Sequence, residues 1–454
     1  MKNVMIFCIP AHGHHNPLFP VAKELVSRGD AVRFYSFNEF REQVEATGAS
    51  FVGCDEYLAE VSDEIITGEE TMSTTEMTIV DLQTTVRMDS FLEKEVEEFH
   101  PDVIVTDSVC FWGKLTAGKY KIPMVVSTTT FAFNRHSASY MKNSFAEIMD
   151  LIKGQKRINA ELKNLEQYGY HEKSIMKLVQ NDNYTDTIVY ATKKYQPFSN
   201  TFSNHYAFVG PSISADYVPN KENQRPLVYI SLGTVVSNKP DFYKKCVEAL
   251  KDEDVDVVIS CGRAVDPQNL NGLADNVKVY NTVNQLEILS KANVFLTHNG
   301  MNSTSESLYM ATPMVLFPQT NEQRAVARRA GEMGAGVLLK GESVAEIHDA
   351  VMEVLTNSKY AEAAKACSDD FTSASGPKKA ADFIETAPHL MPEEDKKNIR
   401  RDTIPGILQV VFWVIMIAIM FSFKSITGSD KWWIVAIAAN VIFPFYRKLI
   451  GRLI

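Results

Sequence analysis

Residues 294–307 read VFLTHNGMNSTSES, an apolar run followed by a turn and a stretch of small polar residues. The apolar run predicts a buried strand, and the residues after Gly300 predict the start of a helix. A covered strand that leads through a short turn into a helix is half of a parallel βαβ unit. The stretch therefore indicates an α/β fold with a parallel sheet.

The turn in this stretch carries side chains that suit a phosphate ligand. A helix N-terminus has unpaired N–H groups and partial positive charge, so a diphosphate fits there. His298, Asn302 and Ser303 can donate hydrogen bonds to such a group. Glu306, one helical turn further, can accept from ribose hydroxyls. The same residues would also suit a helix start capped by small polar side chains.

The alternation of strands and helices extends along residues 1–395. A polar, proline-bounded stretch at 219–226 interrupts it, and 133–181 reads as a helical insertion. We therefore expect two doubly wound domains, 1–218 and 227–390, that face a cleft and bind ligands beyond the carboxyl ends of their strands. The strand-like runs are 4–10, 31–36, 50–54, 103–108, 124–128, 227–232, 255–260, 277–280, 294–297 and 314–317.

The first strand runs into residues 11–17, AHGHHNP, which place His12, His14 and His15 in one turn. The turn is not a G-x-G-x-x-G loop, which argues against a nicotinamide or flavin enzyme. The histidine spacing also differs from that of a helical zinc pair. A histidine here could serve as a general base, and a solvated, capping turn is the alternative.

Asp107 ends the apolar strand that begins at 103, at the same edge of the predicted sheet. A carboxylate bonded to an imidazole fixes its tautomer and stabilises its charged form. Capping of the helix that follows is an equally ordinary role for Asp107.

Two further turns of the second domain carry polar groups that could bind a ligand. Residues 227–234, LVYISLGT, end in hydroxyls and backbone N–H groups that suit an anion, at Ser231, Gly233 and Thr234. Residues 318–323, PQTNEQ, contain an acid and an amide, Glu322 and Gln323, which suit adjacent sugar hydroxyls. Each motif is weak when taken alone.

Together these motifs resemble the UDP-glycosyltransferase superfamily of GT-B fold, and within it the bacterial macrolide-type glycosyltransferases, over roughly residues 1–390. The resemblance implies two Rossmann-like domains, with His14 as the catalytic base and Asp107 as its partner. It implies an inverting transfer of a hexosyl group, glucose being the first choice, from a UDP-sugar to a hydroxyl of an apolar acceptor, with no cofactor and no metal. The family signature maps onto His298, Gly300, Asn302, Ser303, Thr304 and Glu306, and the sugar-binding pair onto Glu322 and Gln323.

Two positions depart from the family pattern. A Trp-x-Pro-Gln segment, whose tryptophan stacks on uracil, is replaced by TVNQ at 282–285. Base recognition would then depend more on backbone groups near Val283 and on Gln285. The acid of the sugar-binding pair is Glu322 where Asp is commoner, so the resemblance does not fix the sugar.

The charge of the 454-residue chain is distributed unevenly. The whole chain has 46 basic and 56 acidic residues, a net charge of −10, but residues 396–454 have nine basic and two acidic residues. The remainder, 1–395, thus carries 37 basic and 54 acidic residues, a net charge of −17. The balance does not favour a nucleic-acid partner.

The basic tail contains two apolar segments. Residues 404–423 are uncharged and long enough for a helix of about 30 Å, and 432–446 have aromatic residues at both ends. With bases outside both segments, the sequence predicts a transmembrane hairpin over 404–450 that anchors the enzyme at the cytoplasmic face of a membrane. A buried helix pair and a second helix lying in the interface are the alternatives.

Three functions compatible with these motifs remain open. A transferase could act on a diffusible apolar acceptor or, if tethered, on a membrane lipid. A membrane-tethered protein that binds nucleotide sugars without turnover is the second hypothesis, although His14 and Asp107 are both present. An epimerase or hydrolase that acts on the nucleotide sugar itself is the third.

Overall fold

The computed structural model divides the chain into two compact units. The first comprises Met1–Phe202 and Tyr206–His389, and the second comprises Ser203–His205 and Leu390–Ile454. In the second unit the Asn204 side-chain amide donates to the Leu390 carbonyl at 3.1 Å. The structure describes residues 1–60, 73–137, 140, 145–172 (145–148 by backbone alone), 174–179 (176 and 177 by backbone alone), 181–213, 217–233, 238–270, 272–390, 392, 393, 396, 397, 412, 415, 416 and 419.

The first unit contains two parallel sheets. The first sheet has the strand order β3-β2-β1-β4-β5-β6-β7 and the second has the order β10-β9-β8-β11-β12-β13. The strands of the first sheet are β1 (Asn3–Phe7), β2 (Ala31–Ser36), β3 (Ser50–Gly53), β4 (Val103–Asp107), β5 (Met124–Thr128), β6 (Thr187–Val189) and β7 (Tyr206–Phe208). Those of the second sheet are β8 (Leu227–Ser231), β9 (Asp256–Ser260), β10 (Val277–Tyr280), β11 (Val294–Thr297), β12 (Met314–Leu316) and β13 (Gly336–Leu338).

Helices connect the strands, and several begin at a side-chain cap. Ser73, Asn284 and Ser343 each accept an N–H group from the first turn of the helix that follows. The helices are α1 (His12–His15), α2 (Leu18–Ser27), α3 (Arg41–Glu45), α4 (Thr74–Phe99), α5 (Phe111–Tyr120), α6 (Phe145–Glu166), α7 (Ile175–Val179), α8 (Pro240–Leu250), α9 (Gln285–Lys291), α10 (Met301–Tyr309), α11 (Asn321–Glu332), α12 (Val344–Thr356), α13 (Ser358–Thr372) and α14 (Gly376–Glu385).

The core lies on both faces of each sheet, as the continuous apolar strands predicted. Every residue of β4 is buried, including Thr106 and Asp107. Helix α14 follows the second sheet in sequence but packs on α2 beside the first sheet. Arg28, just after α2, makes ion pairs of 2.7 Å with Asp382 and Glu385 of α14. The chain thus returns to the first sheet after completing the second.

The strand order places the candidate residues at two equivalent positions. Connections leave in opposite directions from the neighbours β1 and β4 in the first sheet and from β8 and β11 in the second. At such a switch point the carboxyl ends of the strands leave a crevice for ligands. The registers pair Phe7 with Thr106, and Ser231 with Thr297, at these edges. The histidine turn therefore lies next to Asp107, and Ser231 lies next to the turn at His298.

The prediction of two parallel α/β sheets is confirmed, whereas that of a transmembrane hairpin is wrong. No helix within the described part of the chain is long and apolar enough to cross a membrane. Most of 404–450 lies outside the described residues. The prediction relied on hydropathy, length, terminal aromatic residues and flanking bases, and these do not establish that a spanning helix forms. The predicted anchoring at the cytoplasmic face of a membrane is wrong on the same finding. The bounds 1–218, 219–226 and 227–390 stay a prediction, and both sheets lie in one compact unit.

Candidate active site

His14 and Asp107 form a hydrogen-bonded pair at the first switch point. His14 lies in the single turn of α1, and its Nδ1 is 2.8 Å from Oδ2 of Asp107. The His14 side chain is 27% exposed, whereas Asp107 is fully buried. The other carboxylate oxygen of Asp107 accepts the backbone N–H of Val109 at 2.9 Å. Asp107 thus bonds the imidazole and also closes the turn before α5, so the two roles foreseen for it are compatible.

The pair determines which nitrogen of His14 is basic. Because Nδ1 faces a carboxylate, its proton stays there and Nε2 keeps a free lone pair. Burial disfavours the charged imidazole, but the charge and hydrogen bond of Asp107 outweigh that effect, and Glu322 adds to them. The net result is a raised pKa for His14. Nδ1 also lies 3.4 Å from the hydroxyl of Thr129, which the sequence analysis did not single out.

The other two histidines of the turn have structural surroundings. His15 is buried, bonds the Ser36 hydroxyl at 2.7 Å and stacks on Phe40 at 3.8 Å between ring centroids. Burial lowers the pKa of His15 to about 4, so its ring is neutral. His12 lies 3.1 Å from the Glu39 carboxylate at the rim. Of the three, His14 alone pairs with Asp107.

In the second sheet, His298 fits between two glycines. An ideal Cβ on Gly233 would lie 2.6 Å from Cε1 of His298, and one on Gly300 would lie 2.7 Å from its Nε2. Gly233 has a φ of 76°, and Asn299, between the histidine and Gly300, has a φ of 62°. Asn is the side chain that most often tolerates this left-handed region, a signal at 299 that the sequence analysis missed. The side-chain oxygen Oδ1 of Asn299 also accepts the backbone N–H of Phe317 at 3.1 Å.

The turn at His298 presents hydrogen-bond donors rather than a fixed charge. Burial lowers the pKa of His298 to about 4, although a backbone group of Ser231 opposes the change. Its Nδ1 is buried and has no hydrogen-bond partner. Helix α10 begins beside it with Gly300 as N-cap and no side-chain cap, which leaves the first N–H groups of the helix unpaired. These groups together suit an anion.

A polar network connects α9 to α10. The Gln285 side-chain amide donates to Oε2 of Glu306 at 2.6 Å and to the hydroxyl of Ser303 at 3.2 Å, and its oxygen lies 3.2 Å from the hydroxyl of Tyr229. Burial raises the pKa of Glu306 to about 7, and the Gln285 hydrogen bond opposes the rise. Gln285 therefore orients Glu306. The role of Gln285 in recognising the nucleobase stays a prediction. The same holds for Val283, which is half-buried against the apolar core that contains Tyr229.

The two turns contact each other directly. The side-chain amide of Asn302, on the first turn of α10, donates to the Gly13 carbonyl at 2.7 Å. Gly13 immediately precedes His14. The residue predicted to bind diphosphate thus lies against the turn that carries the candidate base.

Glu322 and Gln323 open α11, and they differ in their surroundings. Burial raises the pKa of Glu322, and positive charge on His14 opposes this effect, so the two side chains are electrostatically coupled. Gln323 closes a capping box, since its oxygen accepts the N–H groups of Gln319 and Thr320 at 2.8 and 3.1 Å. Glu322 is therefore electrostatically coupled to His14, whereas the oxygen of Gln323 accepts hydrogen bonds at the helix start.

One predicted ligand residue, Thr234, lies outside the described residues. Within the described ranges, no group of three or more His, Cys, Asp or Glu side chains is arranged to hold a metal ion. The expectation of a reaction without cofactor or metal stays a prediction.

Comparison with known proteins gives consistent matches along the chain. A family model described as UDP-glucoronosyl and UDP-glucosyl transferase matches residues 213–370. The uncharacterized UDP-glucosyltransferase YojK of Bacillus subtilis is 33% identical over 396 residues, which cover 85% of this chain and 97% of the relative. The NDP-glycosyltransferase YjiC of Bacillus licheniformis is 32% identical over 395 residues, again 85% of this chain and 97% of the relative. Among solved structures, the glycotransferase of kitacinnamycin is 26% identical with a TM-score of 0.71, covering 85% of this chain and 98% of that one.

Proposed function

This chain belongs to the UDP-glycosyltransferase superfamily, and we propose that it transfers a hexosyl group, glucose in the first instance, from a UDP-sugar to a hydroxyl of an apolar acceptor, with inversion at the anomeric carbon. Glycosyl transfer from a nucleotide sugar is common to the named relatives. The identities of the donor's nucleobase, of the sugar and of the acceptor are our proposal. The relative named as a UDP-glucosyltransferase supports UDP and glucose, while the one named for NDP leaves the base open.

The contact between the two turns is the observation that carries this proposal. The hydrogen bond from Asn302 to the Gly13 carbonyl places the start of α10, which suits a diphosphate, beside the residue before His14. A direct displacement at the anomeric carbon requires a base for the acceptor hydroxyl and an anion site for the leaving group within one site.

In the proposed reaction, Nε2 of His14 takes the proton of the acceptor hydroxyl. The acceptor oxygen forms its bond to the anomeric carbon as the bond from that carbon to the diphosphate oxygen breaks. Asp107 holds Nδ1–H and stabilises the imidazolium. The leaving nucleoside diphosphate gains negative charge, which the N-terminus of α10 and His298 stabilise. Glu322 contacts a sugar hydroxyl close to the base.

The acceptor is proposed to be apolar because aromatic side chains follow β5. Phe131 is buried and Phe133 is half-buried. The guanidinium of Arg328 in α11 lies over the ring of Tyr140, 4.1 Å from the ring centroid. Of these side chains, the half-buried ring of Phe133 is the one that can offer apolar surface to an acceptor.

The test is transfer from UDP-glucose to a panel of apolar alcohols, with the anomeric configuration of the product read by NMR. We expect a β-glucoside from the α-linked donor, and a turnover rate about 100- to 10,000-fold lower in His14→Ala with donor binding retained. His12→Ala is the matched control and should keep its turnover, since His12 pairs with Glu39 at the rim.

Retention of configuration, or wild-type turnover in His14→Ala, would contradict the proposed mechanism. UDP release that needs no acceptor and yields no glycoside would favour a hydrolase instead. Parallel assays with TDP-glucose decide which nucleobase the donor carries.

A further inference from the structure

The linker segment, residues 217–223 between β7 and β8, is bonded to both ends of helix α9. At the start of the helix, the side-chain amide of Asn284, its N-cap residue, donates to the hydroxyl of Tyr217 at 2.7 Å. At the end of the helix, the backbone N–H of Asn220 donates to the Ser290 carbonyl at 2.7 Å. The linker segment therefore fixes the position of α9 at two points.

Lys221, in the middle of the linker segment, joins two helices. Its ammonium donates to the Leu289 carbonyl at 2.6 Å, to the Ala292 carbonyl at 2.7 Å and to the hydroxyl of Thr312 at 2.7 Å. The two carbonyls belong to the C-terminal end of α9, where helix carbonyls lack partners within the helix. Thr312 follows the end of α10. One side chain thus holds the C-terminal ends of α9 and α10 together.

The three hydrogen-bond partners of Lys221 are neutral oxygens. Burial lowers the pKa of Lys221 to about 7. Placing an ammonium among neutral groups costs free energy, which offsets much of what its hydrogen bonds contribute. We therefore expect Lys221 to add little to the free energy of folding, whereas its bonds determine where the two helix ends lie.

The opposite end of α9 reaches the candidate nucleotide site. Gln285, the first residue of α9, donates to Glu306 at 2.6 Å and to Ser303 at 3.2 Å, both on α10. Helix α9 has seven residues, about 10 Å of helix, so a displacement of its C-terminal end also moves Gln285. Hydrogen bonds weaken steeply when their geometry is disturbed. The bond that orients Glu306 therefore depends on how α9 is held at its other end.

We propose that Lys221 is a positioning residue for the donor site, because it holds α9 and α10 in the arrangement that lets Gln285 orient Glu306. Lys221 acts through these helices rather than by contact with the donor. A functional group is held in place by such supporting bonds, so their loss weakens binding although every group near the ligand is still present. The inference rests on the proposed function in one respect, the assignment of Glu306 to the nucleotide of the donor.

The test measures UDP binding by calorimetry, and the steady-state constants for UDP-glucose, in the wild type and in Lys221→Met. Methionine has a side chain of similar length and lacks all three donors. We expect the Kd of UDP and the KM of UDP-glucose to rise about 3- to 10-fold. The values of kcat and of the acceptor KM should stay within about 2-fold of those of the wild type.

A double-mutant cycle tests whether the effect passes through Gln285. In Gln285→Ala the bond between α9 and Glu306 is already lost, so the further change Lys221→Met should cost no additional UDP affinity. Additive losses in the double variant would show that Lys221 acts by another route, and would overturn the inference.

Two more variants separate positioning from folding. Lys119→Met is the matched control, because Lys119 is only 16% exposed and bonds Asp89 at 2.6 Å among the helices of the first sheet. It should lower the melting temperature and keep wild-type UDP affinity. Tyr217→Phe removes the hydroxyl at the other end of α9, and should weaken UDP binding about 2- to 5-fold without loss of folding.

Wild-type UDP affinity in both Lys221→Met and Tyr217→Phe would overturn the inference, as would an equal loss of affinity in Lys119→Met. Either result would leave glycosyl transfer intact. Failure of the wild type to bind UDP or to use UDP-glucose would instead count against the proposed function.

Discussion

At the scale of single residues, the chemistry of His14 depends on Asp107. Asp107→Asn keeps an oxygen for the Val109 N–H but replaces the charge that faces Nδ1. The Asn amide can donate to the imidazole and favour the wrong tautomer. We expect kcat/KM to fall about 100- to 10,000-fold with little change in the melting temperature.

The pH profile separates this effect from misfolding. Activity requires neutral His14, so it is present above the pKa of His14 and lost as the pH falls through it. Since Asp107 helps to raise that pKa, the acid limb of kcat/KM should lie above the ordinary histidine value in the wild type. The residual activity of Asp107→Asn should show this limb at lower pH. An unchanged limb would contradict the assignment of His14 as the base.

Glu306 gives a second prediction at this scale. Its pKa of about 7 means that its charged form, the better acceptor for ribose hydroxyls, dominates only above neutral pH. We expect UDP-glucose affinity to rise about 3- to 10-fold between pH 6 and pH 8. Glu306→Gln should bind more weakly and lose this dependence. UDP-glucose is the probe because its diphosphate has no proton to lose in that range.

At the scale of elements, the turn between β11 and α10 depends on a glycine elsewhere in the sequence. Gly233→Ala would place a methyl group 2.6 Å from the His298 ring and force a left-handed backbone on alanine. We expect at least a 10-fold loss of nucleotide affinity and about 1–2 kcal/mol less stability. Gly272→Ala is the matched control, since φ there is 81° and nothing lies within 4 Å of its Cβ. It should lose similar stability but no affinity. Equal affinity losses would contradict the role of the clash.

The elements themselves could be predicted from the sequence, because continuous apolar runs such as 103–106 can be covered on both faces only in a parallel sheet. The pairing of His14 with Asp107 could be predicted in part from the sequence, because residues at the carboxyl ends of parallel strands lie at one edge of the sheet. The coupling of Glu322 to His14 and the bond from Asn302 to Gly13 could not be predicted, because they depend on how the two sheets meet. No local pattern encodes that arrangement. The packing of Gly233 against His298 lies within the second sheet and could not be predicted either, because it depends on the backbone conformation of two turns far apart in sequence.

At the scale of the whole molecule, composition was a poor guide to the tail. Residues 404–423 met the length and hydropathy criteria for a span, yet no described helix does so. Sequence also gave no reason to expect that α14 returns to the first sheet. Asp382 and Glu385 of α14 are 354 and 357 residues away from Arg28, which follows α2. A contact over such a distance in sequence leaves no periodic signal.

Because α14 packs on α2, the stability of the first-sheet side should depend on a helix that follows the second sheet in sequence. Arg28 bonds Glu24, Asp382 and Glu385 together, and its side chain is only 24% exposed. Arg28→Met should therefore lower the free energy of unfolding by about 0.5–2 kcal/mol, a range discounted for the solvent around Asp382. Lys94→Met is the control, because the Lys94–Glu98 pair at 3.7 Å is exposed on both sides and should contribute under about 0.5 kcal/mol. Urea denaturation at low and high salt measures both. The Arg28 effect should shrink only partly with salt, and a loss no larger than that of Lys94→Met would show that α14 is held by apolar packing alone.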